Sequence, residues 1–184
     1  KMGIKVRIFS HPLARTEKLS EYLEGIKEIG VLVAEQAVDV VYANTLHGFV
    51  AVDVAREACL PCLWVIHESE GWENYFHFVP LAIRSRPIEC FSYPYRVIFV
   101  AKQTRKIYHA IDLYNNFTVI PNGLEPSSVF SPSEKQRISA RGILNLGETG
   151  LGVLSIGTVC ERKRQIDFVQ AIGRLREDII EKSG

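Results

Sequence analysis

The fold is decided by residues 39–66, which read DVVYANTLHGFVAVDVAREACLPCLWVI. Residues 39–43 form a short apolar run bounded by Asn44, the pattern of a strand buried on both faces. Residues 48–58 follow with apolar side chains on one side of a helix and charged ones on the other. Residues 62–66 form a second apolar run. A strand, a helix and another strand in succession predict a βαβ crossover and therefore a parallel sheet.

The same alternation continues on both sides of this stretch. It predicts further strands at residues 6–9, 96–100, 117–120 and 152–156, and further helices at 16–27 and 102–111 and after 165. Pro121-Asn122-Gly123 is a strong turn signal that ends one of these strands. Residues 71–95 contain three prolines and scattered aromatic residues, so we expect short helices and loops there. The whole pattern predicts an α/β protein with a Rossmann-like parallel sheet.

Composition limits the classes of function. The chain has 184 residues, of which 47% are hydrophobic, enough for one domain and a remainder. Its 22 basic and 21 acidic residues leave a net charge of +1, without the basic excess common in nucleic-acid-binding domains, so no nucleic acid partner is expected. No apolar run approaches the ~20 residues of a membrane span, and the first residues lack the apolar core of a signal peptide. We expect a cytoplasmic protein; peripheral membrane association cannot be read from the sequence.

Three segments differ in character. Residues 1–120 hold most of the predicted α/β units, residues 121–147 form a linker rich in proline and serine followed by a helix, and residues 148–184 begin a new βα unit. Ser131 is predicted to cap the linker helix, with Pro132 in its first turn and Glu134 reaching back to the cap. One strand and one helix cannot bury their own apolar faces. Residues 148–184 are therefore expected to be the start of a second α/β domain, which makes the fold incomplete.

The run from Ser155 to Gln165, SIGTVCERKRQ, carries the strongest chemical signal. A predicted strand leads into a glycine turn, a basic cluster and the start of a helix. Parallel sheets bind ligands beyond the carboxyl ends of their strands, and a helix N-terminus there offers free N–H groups and partial positive charge. Together these features favour a site for a diphosphate. The alternative is a solvated basic run at a helix start.

These elements resemble the retaining glycosyltransferases of the GT-B fold, of the large family-4 type. Residues 120–125, IPNGLE, are similar to the family's I-P-N-G element before the interdomain linker, and residues 155–163 to its donor-domain strand and basic turn. The segments 41–45 and 60–68 resemble the late part of its acceptor domain. The resemblance covers roughly residues 38–176. It implies that residues 1–120 are the later part of an N-terminal acceptor-binding domain, 121–147 the interdomain linker, and 148–184 the start of a C-terminal donor-binding domain.

The resemblance also implies site residues. The donor diphosphate would lie on Gly157, Thr158, Arg162 and Lys163, of which Lys163 matches the family pattern directly. Thr158 stands where the family usually has arginine, and Arg164 where it usually has glycine after the lysine. The family's Gly-rich loop and its acidic E-x7-E element have no counterpart in these residues. A transferase built from these residues alone is therefore expected to be inactive.

His67 is the predicted catalytic residue. It ends a predicted central strand and matches the family histidine that lies near the donor sugar at the domain cleft. The alternative is a histidine that only caps a strand or orders a loop. Asn44 and His47 end the preceding strand on the same edge, which makes them acceptor-side candidates. Glu68 and Glu70 receive no role.

Other site chemistries are disfavoured. His67-Glu68 does not extend to H-E-x-x-H because residue 71 is Gly71. Cys59 and Cys62 have redox spacing, but the predicted helix precedes them instead of following, so its dipole cannot stabilise a thiolate. A second C-x-x-C for zinc is missing, and no cluster of carboxylates has the spacing of metal ligands. We expect no metal and no cofactor.

The sequence therefore predicts a glycosyltransferase that moves a sugar from a nucleotide-diphosphate donor to a hydroxyl of a carbohydrate or lipid-linked acceptor, with retention of anomeric configuration. A non-catalytic or degenerate nucleotide- or sugar-binding module is one alternative. A nucleotide-sugar epimerase of related fold is another.

Overall fold

The computed structural model describes residues 6–9, 11–123, 132–147 and 152–182. The chain divides into two compact units, Lys1–Leu124 and Glu125–Gly184.

The first unit is built on a four-stranded parallel sheet. Its strands are β1 (Val41–Asn44), β2 (Cys62–Ile66), β3 (Arg96–Phe99) and β4 (Phe117–Val119), and they lie side by side in chain order. In register, Val41 is opposite Cys62, and Val97 is opposite both Trp64 and Phe117. The predicted α/β class with a parallel sheet is confirmed. Because all four strands run in one direction, their carboxyl ends share a single edge.

Helices supply the connections between the strands. The α-helices of the described residues are α1 (Leu19–Glu35), α2 (Phe49–Glu57), α3 (Trp72–Tyr75), α4 (Arg86–Glu89), α5 (Lys102–Ile107), α6 (Glu134–Ile143) and α7 (Gln165–Lys182). Short 3-10 turns lie at Pro12–Arg15, Leu46–Gly48, Phe76–Phe78, Leu81–Ile83, Cys90–Ser92, His109–Ile111 and Glu161–Lys163. The connection from β2 to β3 thus consists of short helices and loops, as its prolines and aromatics predict.

The core of the first unit lies between the sheet and its helices. Trp64 on β2 is completely buried, and its ring centroid lies 4.4 Å from that of Phe91. Phe99 and Phe117, on adjacent strands, lie against each other at 5.2 Å. These aromatic rings bury large apolar areas, the dominant favourable contribution to folding.

A buried charge joins α1, α2 and α4. The Asp53 side chain is 1% exposed and accepts a hydrogen bond from the Tyr22 hydroxyl at 2.8 Å. Arg86 donates to both of its oxygens, at 2.8 and 3.3 Å, and Arg56 forms an ion pair with it at 2.7 Å. Burial raises the pKa of the Asp53 carboxyl, and the hydrogen bonds from Tyr22 and Arg86 partly oppose that rise. This arrangement links α1, α2 and α4 to one another through their side chains.

Two sequence expectations for the first unit are wrong. The strand predicted at residues 39–43 begins at Val41, and it is not buried on both faces, because β1 lies at the end of the sheet and leaves Tyr42 62% exposed. Residues 6–9 are exposed and form no strand. Their β-branched pattern fits a strand, but none of the described strands pairs with them.

The second unit also departs from expectation. Helix α6 begins after Ser133, whose hydroxyl accepts from the backbone N–H of Gln136, while the Gln136 side chain accepts from the Ser133 N–H. The capping box therefore lies two residues beyond the predicted Ser131, which falls outside the described residues. Residues 152–156 form no strand, although α7 follows as predicted.

Candidate functional site

The carboxyl edge of the sheet brings two predicted site residues together. Asn44 is the last residue of β1, and His67 directly follows β2. The His67 Nε2 atom lies 3.0 Å from Asn44 Oδ1, and both side chains are exposed. Because the amide oxygen of Asn44 can only accept a hydrogen bond, the Nε2 atom of His67 is the donor in this contact. The contact fixes the ring at the edge where parallel sheets present ligands.

Glu68 ties the ends of the two strands together. Its Oε2 atom accepts hydrogen bonds from the backbone N–H of Leu46 at 3.0 Å and of His67 at 3.2 Å. The sequence assigned no role to Glu68. The sequence shows that Glu68 is next to His67. Its bond to Leu46 in the turn after β1 depends on the pairing of β1 with β2, which the sequence does not show. Glu68 is therefore a positioning residue for the edge.

The turn after β1 is strained. Thr45 has φ +67° and ψ +167°, a conformation that a β-branched residue rarely adopts. Its carbonyl accepts hydrogen bonds from the Trp64 indole at 2.7 Å and from the Gly48 N–H at 3.0 Å. A Cβ atom at Gly48 would lie 3.2 Å from the Trp64 Nε1 atom, so glycine permits this close approach. The surrounding contacts hold Thr45 in its conformation.

His47 belongs to an aromatic cluster at the same edge. Its ring is parallel to that of Phe78, with centroids 4.6 Å apart, and its Nδ1 atom lies 3.0 Å from the Tyr75 hydroxyl. His11 lies edge-on to His47 at 6.3 Å. The pKa of His11 is lowered by burial and, second, by the nearby His47. The sequence identified His47 but not these partners, which come from distant parts of the chain.

In the second unit, the predicted phosphate turn has a defined backbone. Gly157 has φ +155°, a conformation that L side chains rarely adopt. The Gln165 side chain, at the start of α7, donates to the Thr158 carbonyl at 2.8 Å and accepts from the Cys160 N–H at 3.4 Å. Gln165 thus holds the loop against the helix start, a function that the sequence did not indicate.

The basic residues lie just before α7 and not in its first turn. Arg162 and Lys163 fall within the 3-10 turn Glu161–Lys163, and Arg164 has φ +55° between that turn and the helix. Lys163 is exposed. A cavity of about 320 Å³ beside the turn is lined by residues 159–161 and 164–167, and its lining does not include Gly157, Thr158 or Lys163. The structure thus places the predicted residues on one loop without enclosing them in a cavity.

The two cysteines with redox spacing occupy different environments. Cys59 is exposed and lies two residues after the end of α2, whereas Cys62 is buried in β2. Neither cysteine is in a disulfide. Burial raises the pKa of the Cys62 thiol to about 11. A thiol with this pKa is ~0.1% thiolate at pH 8, too little for rapid disulfide exchange.

We therefore expect a thiol reagent such as Ellman's reagent at pH 8 to label two of the four cysteines rapidly. Cys59 and Cys160 are exposed and should react, while Cys62 and Cys90 are buried and should react only after unfolding. Mass spectrometry of the labelled peptides gives the assignment. Rapid labelling of Cys62 in the folded protein would contradict its burial in β2.

The described residues contain no group of three or more His, Cys, Asp or Glu side chains positioned to hold a metal ion. No helix among them is both long and apolar enough to cross a membrane. The chain matches no known protein family, no curated protein and no solved structure.

Proposed function

We propose that this chain takes part in sugar transfer from a nucleotide-diphosphate donor to an acceptor hydroxyl, on a Rossmann-like sheet of the GT-B type. The observation that carries the proposal is the contact between Asn44 and His67 at the carboxyl edge of the parallel sheet. Functional side chains in parallel α/β proteins concentrate at this edge. The resemblance of residues 120–125 and 155–163 to family-4 transferases supports the assignment.

His67 is the proposed catalytic residue, because it stands where the resemblance implies the histidine near the donor sugar. Asn44 orients its imidazole, and Glu68 bonds to the backbone N–H of His67 and to that of Leu46 in the turn after β1. Such positioning lowers the barrier by holding the reactants in a productive arrangement. In the reaction, the bond from the anomeric carbon to the diphosphate breaks, the acceptor oxygen bonds to that carbon, and the hydroxyl proton passes to the departing diphosphate.

Lys163 and the backbone N–H groups near Gly157 are the proposed diphosphate ligands, with Thr158 and Arg162 beside them. The leaving nucleotide gains negative charge as the glycosidic bond breaks, so a cation already in place stabilises the transition state more than the bound donor. Glycine at position 157 lets the backbone take the conformation at this turn that side chains avoid.

The test is donor binding by Lys163→Ala. Calorimetry of the 184-residue chain with UDP, GDP and ADP, and with their glucose conjugates, should identify one nucleotide that binds. Lys163→Ala should weaken its binding about tenfold or more, a change of ~1.4 kcal/mol, because an ion contact to the diphosphate is lost. Thr158→Ala should have a smaller effect, because a hydroxyl carries no charge. In a preparation that turns over, Lys163→Ala should also lower kcat ~100-fold.

Lys135→Ala is the matched control, because Lys135 is also an exposed lysine of the second unit but lies on α6. Its binding should equal that of the parent. If Lys163→Ala binds within twofold of the parent, or if Lys135→Ala loses as much, the basic run is only a solvated helix start. If nucleotide binds, but a protein that also contains the family's Gly-rich loop and E-x7-E element transfers no sugar, the site belongs to a non-catalytic binding module.

A further inference from the structure

A second surface at the sheet edge has the features of a sugar-binding site. A cavity of about 320 Å³ is lined by His11, Leu13, His47, Phe78 and Pro80. This volume is at the lower end of the range of small-molecule sites, ~300–1,000 Å³. The cavity lies beside His47. Because His47 is three residues after Asn44, the cavity is on the same edge of the sheet as His67.

The aromatic rings of this cavity are held in fixed positions. The Phe78 ring stacks on the His47 ring, with centroids 4.6 Å apart and an interplanar angle of 6°. The same ring is edge-on to the Tyr75 ring, with centroids 6.0 Å apart. The Tyr75 hydroxyl in turn lies 3.0 Å from His47 Nδ1. Phe78 nevertheless remains 40% exposed. An exposed aromatic ring that is braced from one side is a rigid, preformed platform.

The chemistry of the cavity selects the class of ligand. The negative face of an aromatic ring attracts polarised C–H groups, such as those on one face of a pyranose. The lining also contains two imidazoles, which can exchange hydrogen bonds with hydroxyl groups. Among the described residues that line it, there is no Asp, Glu, Lys or Arg side chain to bind a charged group. Neutral sugar rings fit these features better than phosphosugars or nucleotides.

We infer that the His47–Phe78 platform binds a neutral pyranose ring, stacked on the face of Phe78 that His47 leaves uncovered. In the proposed reaction this ring is the sugar of the acceptor, and that identification rests on the proposed function. Tyr75 is a positioning residue that orients the His47 imidazole. The acceptor is accordingly a glycoside whose terminal ring is uncharged.

The test is sugar binding in the absence of any donor. We would titrate the chain with methyl glucoside, methyl galactoside and cellobiose, and follow saturation transfer from aromatic protons to the sugar by NMR. We expect transfer to the ring C–H protons of at least one of them, and at least tenfold weaker binding by Phe78→Ala. Phe78→Tyr should bind within threefold of the parent, because it keeps the ring. Glucose 1-phosphate should bind more weakly than the neutral glycosides.

Tyr114→Ala is the control, because Tyr114 is an exposed aromatic residue of the same unit that does not line the cavity. Its sugar binding should not change, and circular dichroism should show that every variant is folded. The inference is overturned if none of the neutral sugars binds at millimolar concentration, or if Phe78→Ala binds them as the parent does. If Phe78→Ala loses sugar binding but binds nucleotide normally, the proposed donor site is unaffected. The sugar-site and donor-site proposals can therefore be disproved independently.

Discussion

Asp53→Ala should lower the free energy of unfolding of the first unit by about 3–5 kcal/mol, the usual cost of breaking a buried ion pair by removing one partner. The substitution removes the buried carboxylate that Arg86 engages through two nitrogens and leaves the guanidinium with only its half-exposed partner Glu89. It also removes the acceptor of the buried Tyr22 hydroxyl. Urea unfolding followed by tryptophan fluorescence measures the change, because Trp64 and Trp72 both lie in this unit.

Glu57→Ala is the matched control, since Glu57 is an exposed carboxylate on the same helix. Its free energy of unfolding should stay within about 0.5 kcal/mol of the parent. Arg86→Ala should also be destabilising, and the double variant should cost less than the sum of the two single changes, because both remove the same interaction. A fully additive result, or a loss below about 1 kcal/mol in Asp53→Ala, would contradict the structural role of the buried charge.

Trp64→Ala should lower the free energy of unfolding by a similar 3–5 kcal/mol, because a completely buried indole is replaced by a cavity. The variant also removes the hydrogen bond to the Thr45 carbonyl, so the turn after β1 should relax. Urea unfolding followed by circular dichroism measures the stability. The nitrogen chemical shifts of the His67 ring should move in the same variant, since Asn44 precedes that turn.

A pair of milder substitutions separates the hydrogen bond from the packing. Trp64→Phe removes an indole N–H that donates at 2.7 Å, whereas Trp72→Phe removes one that is buried without a hydrogen-bond partner among the described residues. We expect Trp64→Phe to cost about 2 kcal/mol and Trp72→Phe less than about 1 kcal/mol, because an unsatisfied buried donor is itself unfavourable. Equal costs would mean that the bond to Thr45 contributes nothing.

The sequence predicted the four paired strands and the main helices because their signals are local. A β-branched run such as residues 96–100 and an amphipathic run such as 48–58 can be recognised without knowledge of their neighbours. The apolar runs at residues 6–9 and 152–156 predict strands equally well, yet neither segment forms a strand. A strand requires a hydrogen-bonding neighbour, and pairing depends on contacts between distant segments. The exposure of Tyr42 could not be predicted for the same reason, since only the strand order shows that β1 is terminal.

The candidate site was partly predictable on the same grounds. Asn44, His47 and His67 follow predicted parallel strands, so their common edge follows from the fold class. The contributions of Glu68, Tyr75 and Phe78 could not be predicted, because each of these side chains contacts a residue more than 20 positions away in the chain. The diphosphate site at residues 157–163 follows from their charge and from a resemblance, and it stays a prediction.

The strained conformation of Thr45 also determines how substitutions near the site combine. A residue in this region of φ and ψ typically costs about 1–3 kcal/mol, and here Trp64 and Glu68 hold the adjoining backbone in place. Once either the Trp64 or the Glu68 side chain is changed and the turn relaxes, the other side chain has less strain left to hold. Their mutational effects are therefore non-additive. The order in which substitutions accumulate at these positions decides which of them the protein tolerates.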